Sequence, residues 1–139
     1  MTDEPKLPDN DVTLVRQFFG ALELGLVDEA LDLLADDIVW KNTGLPTLSG
    51  KPQVAKVLRA LNKPQFGFGV DIHHIAGHDG VVLTDRTDYL SVGPIRTGFW
   101  VSGTFHIANT HITLWDDHFS MGNFTAGVFK GIVNAIIKR

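Results

Sequence analysis

The chain has 139 residues, 44% of them hydrophobic and 20% charged, with a formal net charge of −4 and no cysteine. That length suits one domain with one core, and the acidic balance argues against a nucleic-acid or polyanion partner. The missing cysteine excludes disulfides, thiolate nucleophiles and cysteine-held zinc or iron–sulfur groups.

The opening MTDEPKLPDND is polar and acidic, unlike a signal peptide. No apolar run nears the roughly 20 residues of a membrane span. A soluble cytoplasmic protein is expected. Residues 1–9 carry two prolines and little apolar content, and read as a flexible leader to a single domain over 10–139. Asp9, Asn10 or Asp11 supplies a helix cap, Val12, Val15, Phe19 and Leu22 recur at helical spacing, and Gly25 marks the end. A short helix is predicted over 27–35, with Ala30, Leu31 and Leu34 on one face. The period then changes. In the strand DIVWKN (37–42), Ile38, Trp40 and Asn42 share one side, and TGLPTLSG reads as loop. Pro52 suits the first turn of a third helix whose stripe is Val54, Val57, Leu58 and Leu61.

Beyond residue 65 the pattern is strand-like. Segments 68–75, 81–92, 96–107 and 111–120 are separated by the turn signals AGHDG, GP and ANT, which predicts an antiparallel meander. The tail returns to helical spacing, with Phe124, Val128, Ile132 and Ile136 on one stripe. The layout is α+β. A strongly curved, mixed but mostly antiparallel sheet with helices packed in its concave side would enclose a conical pocket.

Strand parity assigns the charges. Over 81–92 one face carries Val82, Thr84, Arg86, Asp88 and Leu90, and the other Val81, Leu83, Asp85, Thr87 and Tyr89. Arg86 and Asp88 are therefore neighbours on one face, about 7 Å apart at the backbone. Over 111–120, Thr113, Trp115, Asp117 and Phe119 oppose Ile112, Leu114, Asp116 and His118. Both sets contain apolar residues, so parity leaves open which aspartate points inward. In 97–107, Phe99, Val101, Phe105 and Ile107 line one apolar face. An arginine between two carboxylates splits their proton affinities, so that one serves as acid and the other as base. The plainer alternative is a structural ion pair, Arg86–Asp88, with Asp117 on the surface. The histidines are scattered, and adjacent His73 and His74 should face opposite sides, so no metal site is expected.

VLTDRTDYL, GPIRTGFWVSGTF and HITLWDDHF together resemble the limonene-1,2-epoxide hydrolase family, and most closely its bacterial members acting on larger, lipid-like epoxides. An Arg-x-Asp strand there precedes an Ile-Thr-x-Trp-x-Asp-x-Phe strand, and the likeness runs from the first helix to FKGIV at 129–133. The resemblance implies the curved-sheet architecture shared with ketosteroid isomerase and the nuclear transport factor group, usually as a dimer. It also implies cofactor-free, one-step hydrolysis of an apolar epoxide (terpenoid, steroid or lipid-like) by water. It chooses Asp117 over Asp116 as the base, with Asp88 as the acid, Arg86 as the bridge and Asn42 orienting the water. Leu58, Leu90, Phe99, Val101 and Phe119 match the family's pocket lining.

The chain departs from the family at three places. The water-orienting tyrosine is replaced by Trp40, whose indole N–H donates a hydrogen bond but accepts none. Asp116 stands where a basic residue is common, and His118-Phe119-Ser120 where Tyr-Phe-Asp is usual. Two other functions stay open at this point. Isomerase or cyclase chemistry would need a tyrosine donor, and the one tyrosine, Tyr89, lies on the face opposite Arg86. A non-catalytic ligand-binding domain would follow if Trp40 had cost the water site.

Overall fold

The computed structural model describes residues 10–120. The leader 1–9 and the expected tail helix lie outside the described residues. In chain order the elements are α1 (Asn10–Glu23), α2 (Val27–Asp32), β1 (Leu34–Asn42), β2 (Leu48–Ser49), α3 (Lys51–Leu61), β3 (Phe66–His78), β4 (Val81–Val92), β5 (Ile95–Ala108) and β6 (His111–His118). The six strands form one curved sheet in the order β2-β1-β6-β5-β4-β3. Neighbours are antiparallel except β1 and β6, which run parallel.

The turns explain the meander. Asp79 and Gly80 both have positive φ (49° and 75°), the two-residue hairpin geometry that Asp-Gly favours. Asn109 and Thr110 (53° and 64°) make the corresponding turn between β5 and β6. Gly25 (φ 72°) ends α1 in a Schellman motif, with Leu26 N–H bonded to Ala21 O and Gly25 N–H to Leu22 O. That turn places α2, and then β1, back across the sheet.

Helices α1 and α3 bury Val15, Phe18, Phe19, Val54, Val57 and Leu58 against the inner sheet face, where Ile38, Trp40, Val82, Val101, Phe105 and Trp115 are also buried. Period-2 burial along β4 follows the predicted parity, with Val82, Thr84, Arg86, Asp88 and Leu90 all buried.

Four local expectations need correction. The short helix ends at Asp32 and β1 begins at Leu34, because Leu34 is drawn into the core beside Ile112. The loop TGLPTLSG contains the short strand β2, paired through Val39–Ser49 and Trp40–Leu48. The register of β3 on β4 shifts between Ile72 and His74, so His73 and His74 both reach the outer face. There His73 bonds Thr87 (2.8 Å) and His74 bonds Asp85 (3.0 Å). A second shift pairs His106 with Leu114 but Ile107 with Ile112, leaving Thr113 as the extra residue. Ile112 and Trp115 are therefore both buried, which strict alternation forbids.

Candidate active site

Arg86 is the organising residue. Its side chain is 0% exposed, an environment that a guanidinium tolerates only with its donors satisfied. Nε donates to Asp88 Oδ1 (2.8 Å) and Nη2 to Asp88 Oδ2 (3.1 Å), a two-point clasp. Nη2 also donates to Asp117 Oδ2 at 2.6 Å, and Nη1 to Thr84 Oγ1 at 3.1 Å. The Phe19 ring of α1 covers the guanidinium carbon, 4.6 Å from the ring centroid, adding a cation–π contact.

Neighbouring strands bring the rest together. Asn42 sits opposite Asp117 in the parallel β1–β6 pair, and Trp40 opposite Trp115. Thr43 secures that junction, its N–H donating to Asp117 O (3.1 Å) and its Oγ1 accepting from Phe119 N–H (3.1 Å). Trp115 Nε1 donates to Asp117 Oδ2 at 2.9 Å. The Trp40 and Trp115 rings stack with centroids 4.1 Å apart and planes 7° apart. Among the described residues, two buried side-chain polar atoms have no hydrogen-bond partner: the donor Trp40 Nε1 and the acceptor Asp117 Oδ1.

Both atoms belong to residues lining a cavity of about 330 Å³. Its polar wall holds Trp40, Asn42, Asp88 and Asp117, while Arg86 sits behind the carboxylates. Leu58, Leu90, Phe99, Val101 and Phe119 all line it, with Phe99 and Phe119 edge to face at 5.7 Å. Asp116 is on the other face, 3.3 Å from His118. Tyr89 also points outward, donating to Asp71 at 2.8 Å.

Sequence reasoning missed several contributors. Trp115 and Phe68 line the cavity, Thr84 holds Nη1, and Gly103 makes room for the whole cluster. A Cβ on Gly103 would collide with Arg86 Nη1 and come within 2.8 Å of both Asp117 Oδ1 and Thr84 Oγ1. The signal was available, since an isolated glycine inside a strand marks a close approach.

One cation cannot neutralise two buried carboxylates, so the cluster binds a proton more tightly than isolated aspartates would. Burial pushes the Asp117 carboxyl up to about 6, with the Asp88 charge adding to it and Arg86 and the Trp115 N–H opposing it. Burial works against the Arg86 charge, yet Asp117 and Asp88 hold its pKa above the ordinary value.

A carboxyl raised from 3.8 to about 6 on folding contributes stability that is full below pH 3.8 and is lost as pH rises through 6. Asp117→Asn removes this contribution. Between pH 4 and pH 7.5 the urea midpoint of the wild type is therefore expected to fall relative to that of the variant. Parallel midpoints across that range would contradict the raised affinity.

Residues 9–130 match the family described as the limonene-1,2-epoxide hydrolase catalytic domain. The epoxide hydrolase EphG of Mycobacterium tuberculosis is 37% identical over 123 residues, 88% of this chain and 82% of that protein. The solved structure of an M. tuberculosis LEH-like epoxide hydrolase superposes with a TM-score of 0.79 at 35% identity, covering 94% of this chain and 97% of that one. An NTF2-like protein of unknown function from Cytophaga hutchinsonii shares the fold at 15% identity, with a TM-score of 0.70 over 90% of this chain and 99% of its own. With a match spanning most of its length and a relative at this identity, the chain belongs to the limonene-1,2-epoxide hydrolase family.

Proposed function

We propose that the protein hydrolyses an apolar epoxide of terpenoid, steroid or lipid-like kind to a vicinal diol in one step, without a cofactor. The observation that carries this reading is the Asp88–Arg86–Asp117 bridge set against an apolar cavity, with Asp117 Oδ1 free to take a proton. Water attacks one epoxide carbon while Asp117 Oδ1 accepts its proton. The carbon–oxygen bond breaks, and Asp88 protonates the departing oxygen. The diol leaves with Asp117 protonated and Asp88 ionised, and the proton that Asp117 took from water then passes to Asp88, which restores the site. Arg86 faces one negative charge throughout, so charge migrates across the guanidinium while the cluster's net charge is constant. Trp40 N–H donates to the water oxygen, and Asn42, opposite Asp117, orients it. The five apolar wall residues hold the hydrocarbon and keep other water away from the opening ring.

The test is a screen of epoxides of graded size, run in ¹⁸O-labelled water on the wild type and on Trp40→Tyr. Wild-type turnover with one ¹⁸O in the diol is expected. Turnover confined to Trp40→Tyr would instead favour the ligand-binding alternative, in which the indole has replaced a working phenol.

A further inference from the structure

The geometry points to Trp115 as a positioning residue that commits the Asp117 carboxylate to react through Oδ1 alone. This rests on the hydrolase reading above for its kinetic consequence, but not for its geometry. A carboxylate offers two chemically equivalent oxygens until its surroundings distinguish them. Here Oδ2 accepts from Arg86 Nη2 at 2.6 Å and from Trp115 Nε1 at 2.9 Å, whereas Oδ1 is buried and accepts from nothing among the described residues. Arg86 alone would leave the carboxylate a second lone pair on Oδ2 and freedom to turn about its Cβ–Cγ bond. A second donor from a different direction removes both.

The indole itself is held firmly. Trp40 stacks flat on one face at 4.1 Å, and Phe18 meets Trp115 edge-on at 5.0 Å. Trp40 therefore acts on the base in a second way, through the ring of Trp115, besides the N–H donation proposed above. Phe105 lies nearly parallel to Trp115 at 6.4 Å.

The charged groups turned toward Asp117 are Arg86 and Asp88 of β4. β1 presents Asn42 and Trp40 on this side, β5 Gly103, and α1 Phe18 and Phe19, none of them titratable, while Glu23 of α1 lines the same cavity and accepts from Val70 N–H at 3.4 Å. A shift in the proton affinity of Asp117 on removing the indole N–H is read with both charged neighbours, Arg86 and Asp88, left in place. The Trp115 bond favours the ionised carboxylate, so its loss raises that affinity.

Trp115→Phe keeps an aromatic ring and removes the donor together with the pyrrole half of the indole, so the readouts that follow the proton on Asp117, and not the loss of rate alone, decide the assignment. On an epoxide substrate, kcat is expected to fall about 10-fold or more, with KM changed less than about 2-fold. The acid limb of the kcat/KM profile should move upward relative to that of the wild type. A wild-type profile in the variant would overturn the assignment. A readout independent of turnover is the wild-type indole Nε1–H resonance of Trp115, identified by its absence in Trp115→Phe or, should that variant not fold, by elimination with Trp40→Phe and Trp100→Phe. It should shift between pH 4.5 and 8 and become insensitive to pH in Asp117→Asn. A resonance flat across that range, or one that titrates unchanged in Asp117→Asn, sinks the positioning role. Absence of any epoxide turnover by the wild type, alongside a titrating indole, would remove the hydrolase reading and leave the Trp115–Asp117 geometry standing.

Discussion

Asp117→Asn is expected to lower kcat/KM for epoxide hydrolysis by about 10³- to 10⁴-fold, the range in which removal of a positioned general base falls. The substitution keeps the shape of the side chain. One end of the amide still accepts from Arg86 and Trp115 where Oδ2 did. The other end becomes an N–H₂ that donates to water and cannot take its proton. Arg86 retains both bonds to Asp88, so the buried cation stays paired and the fold survives. Asp116→Asn provides the comparison. Asp116 lies on the opposite face beside His118, and its variant should turn over at the wild-type rate. Hydrolysis by Asp117→Asn within 10-fold of wild type, measured on the same epoxide, would exclude Asp117 as the base.

The second large effect is on stability. Gly103→Ala should destabilise the protein by about 3 kcal/mol or more, measured as a fall in the urea midpoint, and reduce hydrolysis as well. The added methyl has no free space. It meets Arg86 on one side and Asp117 and Thr84 on the others, and displacing the guanidinium breaks a charge network buried within the core. Backbone strain is not the cause, since Gly103 is absent from the positive-φ residues. Gly69→Ala tests this account. Its nearest neighbours would lie at 3.6 Å or beyond, so the change should stay within about 1 kcal/mol. Equal losses at the two positions would mean that sheet propensity, not crowding of the cluster, sets the cost.

Much of the site was legible because β4 alternates without interruption. Parity alone placed Arg86 and Asp88 together and Tyr89 away from them, and the burial along the strand follows that order. Parity could not choose between Asp116 and Asp117, and the reason is physical: the extra residue at Thr113 resets the alternation within β6, so counting from Ile112 gives the wrong face. The family resemblance supplied that choice. His73 and His74 were misassigned for the same reason, a register shift that no local composition announces. The β1–β6 neighbourhood was illegible in another way. Nothing in DIVWKN says that its partner lies over 70 residues downstream, and the stacking of Trp40 on Trp115 follows entirely from that pairing. Leu48–Ser49 was too short to carry a period at all.

The parallel pairing of β1 with β6 also bears on how the site comes into being. Parallel neighbours need a long crossover, and here it runs through every intervening element, from β2 to β5. The Arg86–Asp88 clasp is local to one strand and can form as soon as β4 does. Asn42, Trp40, Trp115 and Asp117 meet only when the first strand closes on the last, the contact of greatest loop-closure cost in the sheet. A chain that has stopped short of β6 thus holds Arg86 and Asp88 but lacks Asp117, the base proposed above.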